Sequence, residues 1–324
     1  MAPYLLRRLA ASLLLLWLVV TVTFFLLHFA PGRPAELLVP LGGQGSTPEQ
    51  RRHLEHLYGL DRPLHEQYMR WLGAAVRGDW GTSFNQRRPV ARVVAEALPA
   101  TLLLALAAIF IEYAIAVPLA IWAVRRRGSP LDATVRTLSL LLFSLPEFWL
   151  GLMSILVFSH LWPVLPSSGM YTAGAGDLST LARLGDLAVH LVLPATVLGV
   201  STCGLTLRFL RNSLLDVMGE DYIRTARAKG LSEPRVLAVH GLRNAAVPTI
   251  QMLAINLGAL LNGALVIEIV FGWPGLGQIA FQAIGTRDYP VILATATLSA
   301  VIVIVANLAA DVAQAVIDPR IRHR

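Results

Sequence analysis

The sequence predicts an all-α polytopic membrane protein with six transmembrane helices and with both termini in the cytoplasm. Of the 324 residues, 55% are hydrophobic and only 15% are charged, whereas soluble proteins carry about 25% charged residues. Apolar runs long enough to cross a hydrocarbon core of about 30 Å recur along the chain. The basic residues behind the net charge of +7 lie between alternate runs. The excess of apolar side chains therefore faces lipid.

The first apolar run, residues 9–29, follows a short basic N-terminus at residues 1–8. A secretory signal peptide would have a shorter apolar run, of about 7–15 residues, and an Ala-x-Ala cleavage site. The corresponding residues here are His28, Phe29 and Ala30. We therefore predict a retained transmembrane helix. The other five spans are predicted at 98–124, 137–161, 187–207, 247–271 and 291–316.

The distribution of basic residues orients these spans. With the N-terminus in the cytoplasm, 16 of the 27 basic residues lie inside, and the two short outer loops hold only Arg183 and Arg287. The tail at 317–324 is then cytoplasmic as well. A nucleic-acid-binding protein would instead present its basic residues together on one water-exposed face. No nucleic-acid partner is predicted.

The segment 30–97 is predicted to lie outside the membrane and to contain two helices. Thr47 to Gln50 offers an N-cap, a proline at the first helical position and a capping-box glutamine. Gly59 can end this first helix. The second is predicted at 63–76, where an aromatic and apolar face can pack on the membrane surface or on neighbouring helices.

Motifs for catalysis and metal binding are incomplete. The only lysine, Lys229, follows an alanine rather than a glycine, so the chain has no Walker A loop. His53 and His56 are one residue too close for the His-Glu-x-x-His zinc motif, so we interpret them as solvated. Gly174 to Asp177 matches the Gly-x-Gly-Asp of intramembrane aspartyl proteases, but no second Asp lies at matching depth, which favours a loop. We predict no catalytic residue, no metal and no cofactor.

Six ionisable side chains lie within apolar runs, where they are costly unless they face the bundle interior or a watery path. Glu112 is near the middle of its span, and Glu147 follows Ser144-Leu145-Pro146, where a helix would break. Both a translocation path and a buried structural role are open for these two. An ion-coupled carrier would show more such groups. The other four, which lie near span ends and can reach the interface, are His160, His190, Glu268 and Asp311.

The longest cytoplasmic loop, 208–246, is predicted to form a helix, a turn and a second helix. Asp221 lies at the positive end of the first helix, and Gly230 can end it in the left-handed conformation. Ser232 can cap the second helix. Arg224 and Arg227 share one face. The residues alone are compatible with docking into a groove of a cytoplasmic partner and with a loop that covers the bundle.

This loop resembles the coupling loop of ABC importer permeases, whose motif is Glu-Ala-Ala, three residues, Gly, nine residues and Ile-x-Leu-Pro. Ala226, Gly230 and Leu242 match the motif. The residues that depart from it are Arg224, Thr225, His240 and Arg243. The stretch from Asp221 to Ser232 is the form that this loop takes in the peptide and nickel permeases.

Further segments that resemble the same branch occur along the whole chain. They are 78–83 (GDWGTS), 144–151 (SLPEFWLG), 193–195 (LPA), 271–277 (FGWPGLG), 287–290 (RDYP) and 318–322 (DPRIR). The outer segment directly after the first span is similar to that of the B-type, or first, permease subunit of dipeptide, oligopeptide and nickel ABC importers. The order of these segments is specific to the branch but does not select a substrate.

The resemblance implies a type I ABC importer permease fold, with an approximate permease domain at 95–310, in the bacterial cytoplasmic (inner) membrane. It implies four partners besides the lipid bilayer: a homologous second permease subunit, two cytoplasmic ABC ATPase subunits and an extracytoplasmic solute-binding protein. The chain itself would be non-catalytic. The coupling residues implied are Asp221, Tyr222, Arg224, Thr225, Ala226, Arg227, Lys229, Gly230 and Leu242.

The substrate implied by the resemblance is a peptide, because peptides are the commonest cargo of this branch. Dipeptides, longer peptides, glutathione-like peptides and nickel chelates all stay open, since selection rests largely with the binding protein. The alternative from another class is an ion-coupled secondary carrier, which would transport without ATPase subunits.

Overall fold

The computed structural model describes residues 2–29, 56, 61–245, 249, 252 and 264–317. Within these residues the regular structure is helical, apart from an isolated antiparallel bridge between Thr82 and Pro89. The predicted helical class is confirmed. Four described helices are long and apolar enough to cross a membrane, and a bent helix pair brings the number up to five.

The described part of the chain contains ten α-helices. In chain order they are α1 (Ala2–Phe29), α2 (Leu64–Val76), α3 (Val90–Arg125), α4 (Pro130–Ser144), α5 (Glu147–Ile155), α6 (Thr180–Met218), α7 (Asp221–Ala228), α8 (Glu233–Arg235), α9 (Leu276–Gly285) and α10 (Tyr289–Ile317). Two π-helical turns, Leu156–Leu161 and Val236–Leu242, continue α5 and α8. Residues 264–270 are also helical.

Two helices extend well beyond the predicted spans. Helix α3 has 36 residues and α6 has 39, which correspond to lengths of about 54 and 58 Å at 1.5 Å per residue. A hydrocarbon core of about 30 Å leaves several turns of each outside it. The predicted loop 208–246 therefore begins inside α6. Most of the predicted span 247–271, and all of the tail after Ile317, lie outside the described residues.

The predicted third span, 137–161, is divided between α4 and α5, which meet at 94°. Leu145 adopts an extended conformation, with φ −81° and ψ 132°, and Pro146 precedes the first residue of α5. Proline has no N–H for a helical hydrogen bond, and its ring disfavours a helical conformation at the preceding residue. The break predicted at this proline is confirmed, and it turns the chain sharply.

The described residues group into two compact units, of which the first comprises Leu5–Ala100 and Pro274–Ile302. In this unit α2 packs on α1 through aromatic rings. The Phe24 ring lies 5.3 Å from that of Tyr68 and 5.5 Å from that of Trp71. The Tyr68 hydroxyl is 2.7 Å from Thr21 Oγ1. The predicted second outer helix thus exists and packs on a neighbouring helix; the predicted helix near Thr47 lies outside the described residues.

The second unit comprises Met1–Tyr4, Thr101–Trp273 and Val303–Arg324, and α6 is its central helix. The most apolar stretch of α6 is 56% buried within the chain, against 11% for α1. Cys203 and Leu207 on α6 pack in a buried cluster with Ala116 and Ala120 of α3. The predicted packing role of Cys203 is confirmed.

Glycines let α6 approach its neighbours at backbone distance. A Cβ atom built on Gly199 would lie 2.6 Å from the carbonyl oxygen of Ala108 and 3.2 Å from the Glu112 nitrogen, both on α3. A Cβ atom on Gly204 would overlap the carbonyl oxygen of Ser139 on α4. These neighbours are backbone atoms, which cannot rotate away. The close spacing of α3, α4 and α6 therefore requires that Gly199 and Gly204 have no side chain.

We expect Gly199→Ala to separate α3 from α6 and to lower the free energy of unfolding by about 1–3 kcal/mol, the usual cost of overpacking. Thermal unfolding of the detergent-purified protein measures this. Gly185→Ala is the matched control, because it lies in α6 with open space around it and should stabilise the helix by about 0.5–1 kcal/mol. Equal stability of the two variants would contradict the close approach.

Candidate functional site

The predicted coupling helix is α7, and it is strongly amphipathic. Ile223 and Ala226 are buried against Val236, while the other side chains of the helix are exposed. Asp221 lies in the first turn and Arg227 in the last, as the helix dipole favours. Ala226 therefore anchors the helix, whereas the exposed face is available to another protein. Ile223, which the motif does not single out, forms the other half of the anchor.

Gly230 ends α7 in the left-handed conformation, with φ +78°, as predicted. Its N–H donates to the Arg227 carbonyl at 2.9 Å, and the Leu231 N–H donates to the Ala226 carbonyl at 3.4 Å. This pair of bonds is the Schellman motif. Leu231 also packs on the buried Ile223 cluster, which is the apolar contact that accompanies the motif. The end of α7 is therefore firmly defined.

The two arginines predicted to share a face of α7 differ in their surroundings. Arg227 holds Glu233 at the start of α8 through two hydrogen bonds, of 2.6 and 3.3 Å. Arg224 is 77% exposed, and among the described residues its ion-pair partner is the exposed Asp221, at 3.3 Å. Arg227 thus closes the turn between the helices, and Arg224 extends from the surface. The role of Glu233 was not predicted, because it arises from a partner six residues away across a turn.

The Arg227–Glu233 pair is charged at neutral pH. The hydrogen bonds from the Arg227 guanidinium lower the pKa of Glu233 below its ordinary value. Ser232, predicted to cap the second helix with its side chain, occupies the N-cap position, but its hydroxyl makes no capping bond there. Its carbonyl accepts the N–H groups of Arg235 and Val236 instead, at 2.9 Å each. The predicted side-chain cap is therefore absent, and the Arg227–Glu233 ion pair holds the start of α8 to the end of α7.

Leu242, the last predicted coupling residue, is half-buried and packs against the α3–α6 core cluster. It lies in the π-helical turn that follows α8. In that turn Gly241 is buried, and a Cβ atom there would lie 3.3 Å from the Met218 sulfur. The end of the loop is therefore packed against the end of α6. Tyr222, Thr225 and Lys229 are exposed.

Glu112, the deepest predicted carboxylate, is completely buried in α3. The Thr206 hydroxyl of α6 donates a hydrogen bond to it. Glu147 is the first residue of α5 and is half-buried, and it accepts a hydrogen bond of 3.3 Å from Ser201 of α6. Both carboxylates are thus held by hydroxyls of one helix. They differ in access, since only Glu147 has part of its surface exposed.

Glu268, predicted to reach the interface from a span end, is also completely buried. The Thr101 hydroxyl donates to it at 2.6 Å. The prediction is wrong because it used the distance from the end of an apolar run, which ignores a hydroxyl on another helix. His190 is likewise buried, with Nδ1 2.9 Å from the Asp186 carbonyl oxygen. His160 is exposed.

Two segments singled out in the sequence meet in the first unit. Ser83, which ends the stretch 78–83, donates to Asp288 Oδ2 at 2.5 Å. The Asn85 N–H donates to the same oxygen at 3.1 Å. Asp288 is buried. One carboxylate therefore joins the loop that carries Ser83 to the start of α10, although the two residues lie 205 positions apart.

The predictions for the incomplete motifs can be compared with the described residues. Gly174 has φ +85° and precedes a three-residue 3₁₀ turn, Ala175–Asp177, so the loop interpretation is confirmed. His56 lies 2.9 Å from Asp61 Oδ2. His53 lies outside the described residues.

Comparison with known proteins covers the chain from end to end. A model of the family described as binding-protein-dependent transport system inner membrane component matches residues 116–323, and a model of the N-terminal part of such components matches residues 1–105. The chain is 38% identical to the oligopeptide transport system permease protein AppB of Bacillus subtilis (strain 168), over 100% of both chains. It is 36% identical to the dipeptide transport system permease protein DppB of Escherichia coli (strain K12), again over 100% of both. The glutathione transport system permease protein GsiC of Salmonella paratyphi A is 37% identical over the same coverage.

Proposed function

This chain belongs to the binding-protein-dependent transport system inner membrane component family and is a multi-pass protein of the bacterial inner membrane, and from that premise we propose that it is the B-type permease subunit of an ABC importer for peptides. The observation that carries the proposal is similarity over the full length to permeases named for oligopeptides, dipeptides and glutathione. The chain forms half of the translocation path. A nickel chelate or another small solute is the alternative cargo.

The proposed topology has six spans and cytoplasmic termini. It is supported by four or five described helices that are long and apolar enough to cross a membrane, by the apolar run 247–271, and by the distribution of basic residues. The segment 30–97 then lies on the outer side. A solute-binding protein that delivers cargo meets the chain on that side, and a homologous second permease completes the path.

Two ATPase subunits bind on the inner side at α7. The exposed face of α7 offers Asp221, Tyr222, Arg224 and Thr225, and a short amphipathic helix of this kind fits a groove on a partner. Only Gly219 and Glu220 separate α7 from α6. Closure of the ATPase dimer would displace α7, and α6 would transmit the displacement to the buried carboxylates. ATP hydrolysis takes place in the partners, and alternating access follows from this coupling between sites.

Reconstitution of the four-component membrane complex in proteoliposomes, with its binding protein, tests the proposed cargo and energy source. We expect ATP-dependent uptake of a labelled dipeptide that stops when this chain is omitted. Collapse of the ion gradients should leave the uptake unchanged. Uptake of a nickel chelate but of no peptide would select the alternative cargo, and uptake by this chain alone would contradict the proposal.

Gly230→Val is expected to weaken ATPase docking. A side chain held in the left-handed conformation costs about 1–2 kcal/mol. This cost lowers the population of the ordered C-terminal end of α7, relative to other backbone conformations, roughly 5- to 30-fold. A Cβ atom at this position meets no neighbouring atom, so the effect is one of backbone conformation. Co-purification of the ATPases with the permease measures it.

The matched control is Gly230→Asn, because Asn tolerates the left-handed conformation. It should retain most of the ATPase binding and uptake. Equal loss in the Asn and Val variants would show that the conformation is not what matters. Full activity of the Val variant would exclude Gly230 from coupling.

We further propose that Glu147 lines the path and that Glu112 is a buried structural carboxylate. Glu147 is half-buried at the sharp turn between α4 and α5, whereas Glu112 has no exposed surface and is hydrogen-bonded by Thr206. A group that meets cargo needs access to water, and a group that only joins helices does not.

Glu147→Gln should therefore lower the rate of uptake several-fold at unchanged thermal stability. Glu112→Gln, the same chemical change in the same unit, should leave the uptake per folded complex unchanged and alter the thermal stability instead. Uptake assays normalised to folded complex separate the two outcomes. A reversed pattern would exchange the roles proposed for the two carboxylates.

A further inference from the structure

A basic cavity lies between α4 and α6 in the second unit. Its volume is about 370 Å³, and the coupling helix contributes no residue to it. Among its lining residues, three are apolar and three are arginines. They are Val135, Leu140, Leu207, Arg136, Arg208 and Arg211.

The three arginines give the cavity more positive charge than the neighbouring Asp132 carboxylate balances. Arg211 is paired with Asp132 by two hydrogen bonds, Nε to Oδ1 at 2.7 Å and Nη2 to Oδ2 at 2.8 Å. Within the described part of the chain, neither Arg136 nor Arg208 has a carboxylate oxygen within 4.0 Å. Both are exposed. The charge of two guanidinium groups is therefore available to an anion.

The buried Asp132–Arg211 ion pair holds α4 and α6 together beside the cavity. Ser129 caps α4, because its hydroxyl oxygen accepts the Asp132 N–H at 3.4 Å. The Asp132 carboxylate in turn accepts the Gly128 N–H at 3.2 Å. Arg136 Nε donates to the Asp132 carbonyl at 3.4 Å. The paired side chains of Asp132 and Arg211 are almost fully buried. The cations are thus fixed on two packed helices and not on a loop.

The proposed topology places this cavity at the level of the phospholipid headgroups on the inner side. Arg136 directly precedes the predicted span 137–161, and Arg208 directly follows the predicted span 187–207. Toward the bilayer, the wall continues in exposed apolar side chains of α4: Leu140 is 58% exposed, and Leu141 and Phe143 are exposed as well. A free inorganic anion makes no favourable contact with an apolar surface, whereas the acyl chain of a phospholipid does. Basic pockets between transmembrane helices are known to bind anionic headgroups.

We propose that this cavity binds one anionic phospholipid, with its phosphate between Arg136 and Arg208 and its acyl chain along the exposed side of α4. The proposal rests on the proposed membrane topology but not on the nature of the cargo. Because the same α6 carries Arg208 and leads into α7, the lipid joins α4 to the helix through which coupling is proposed to act.

Native mass spectrometry of the complete complex in mild detergent tests the proposal. Titration with phosphatidylglycerol should give one tight adduct, bound about tenfold more strongly than phosphatidylcholine. Arg208→Gln should weaken phosphatidylglycerol binding about tenfold, as expected for loss of one charge-assisted hydrogen bond, and should not change phosphatidylcholine binding. Arg136→Gln should act in the same direction, and Arg208→Lys should be intermediate because it keeps the charge without the planar fork.

Arg126→Gln is the matched control, since it removes an exposed arginine near the end of α3 that does not line the cavity. It should leave the adduct unchanged. An equal loss in this control would overturn the proposal in favour of general surface charge. Displacement of the lipid by excess inorganic phosphate would assign the site to a free anion and would also overturn it. Both measurements are independent of peptide uptake, so failure of the proposed cargo does not affect them.

Discussion

The close approach of α6 to its neighbours is the constraint on which the rest of this structure depends. Gly199 lets the α3 backbone lie against α6, and Gly204 does the same for α4. Only at this spacing can the Thr206 hydroxyl reach Glu112 and the Arg211 guanidinium reach the carboxylate of α4. In a low-dielectric interior an unpaired carboxylate would be costly. The buried carboxylates therefore depend on the close backbone packing, because this packing brings their hydrogen-bond donors within reach.

The features that sequence reasoning predicted well are those governed by local rules. A left-handed residue at the end of a helix is usually glycine, and Gly230 has that conformation. Proline without an N–H divides α4 from α5 at Pro146. Helix α2 was predicted from its periodic apolar face alone. In each case the energetic term acts within a few residues, so the sequence contains it directly.

The features that could not be predicted depend on which helices become neighbours. Glu268 was predicted to reach the membrane interface, but it is buried and accepts a hydrogen bond from the Thr101 hydroxyl on another helix. The Arg227–Glu233 pair needs the turn geometry that Gly230 creates. Composition indicates the helical membrane class, and Pro146 indicates where the helix breaks, but neither gives the angle of 94° between α4 and α5. The proposed roles in the translocation path and in ATPase coupling likewise depend on which surfaces become neighbours, and these include surfaces of partner proteins.

The bond between Ser83 and Asp288 has a consequence for how the protein is made. The first unit is discontinuous in sequence, so Ser83 cannot bind Asp288 until the start of α10 has been synthesised, 205 residues later. At a translation rate of about 5–20 residues per second, this is a delay of roughly 10–40 s. During that interval the loop that carries Ser83 lacks its hydrogen bonds to Asp288.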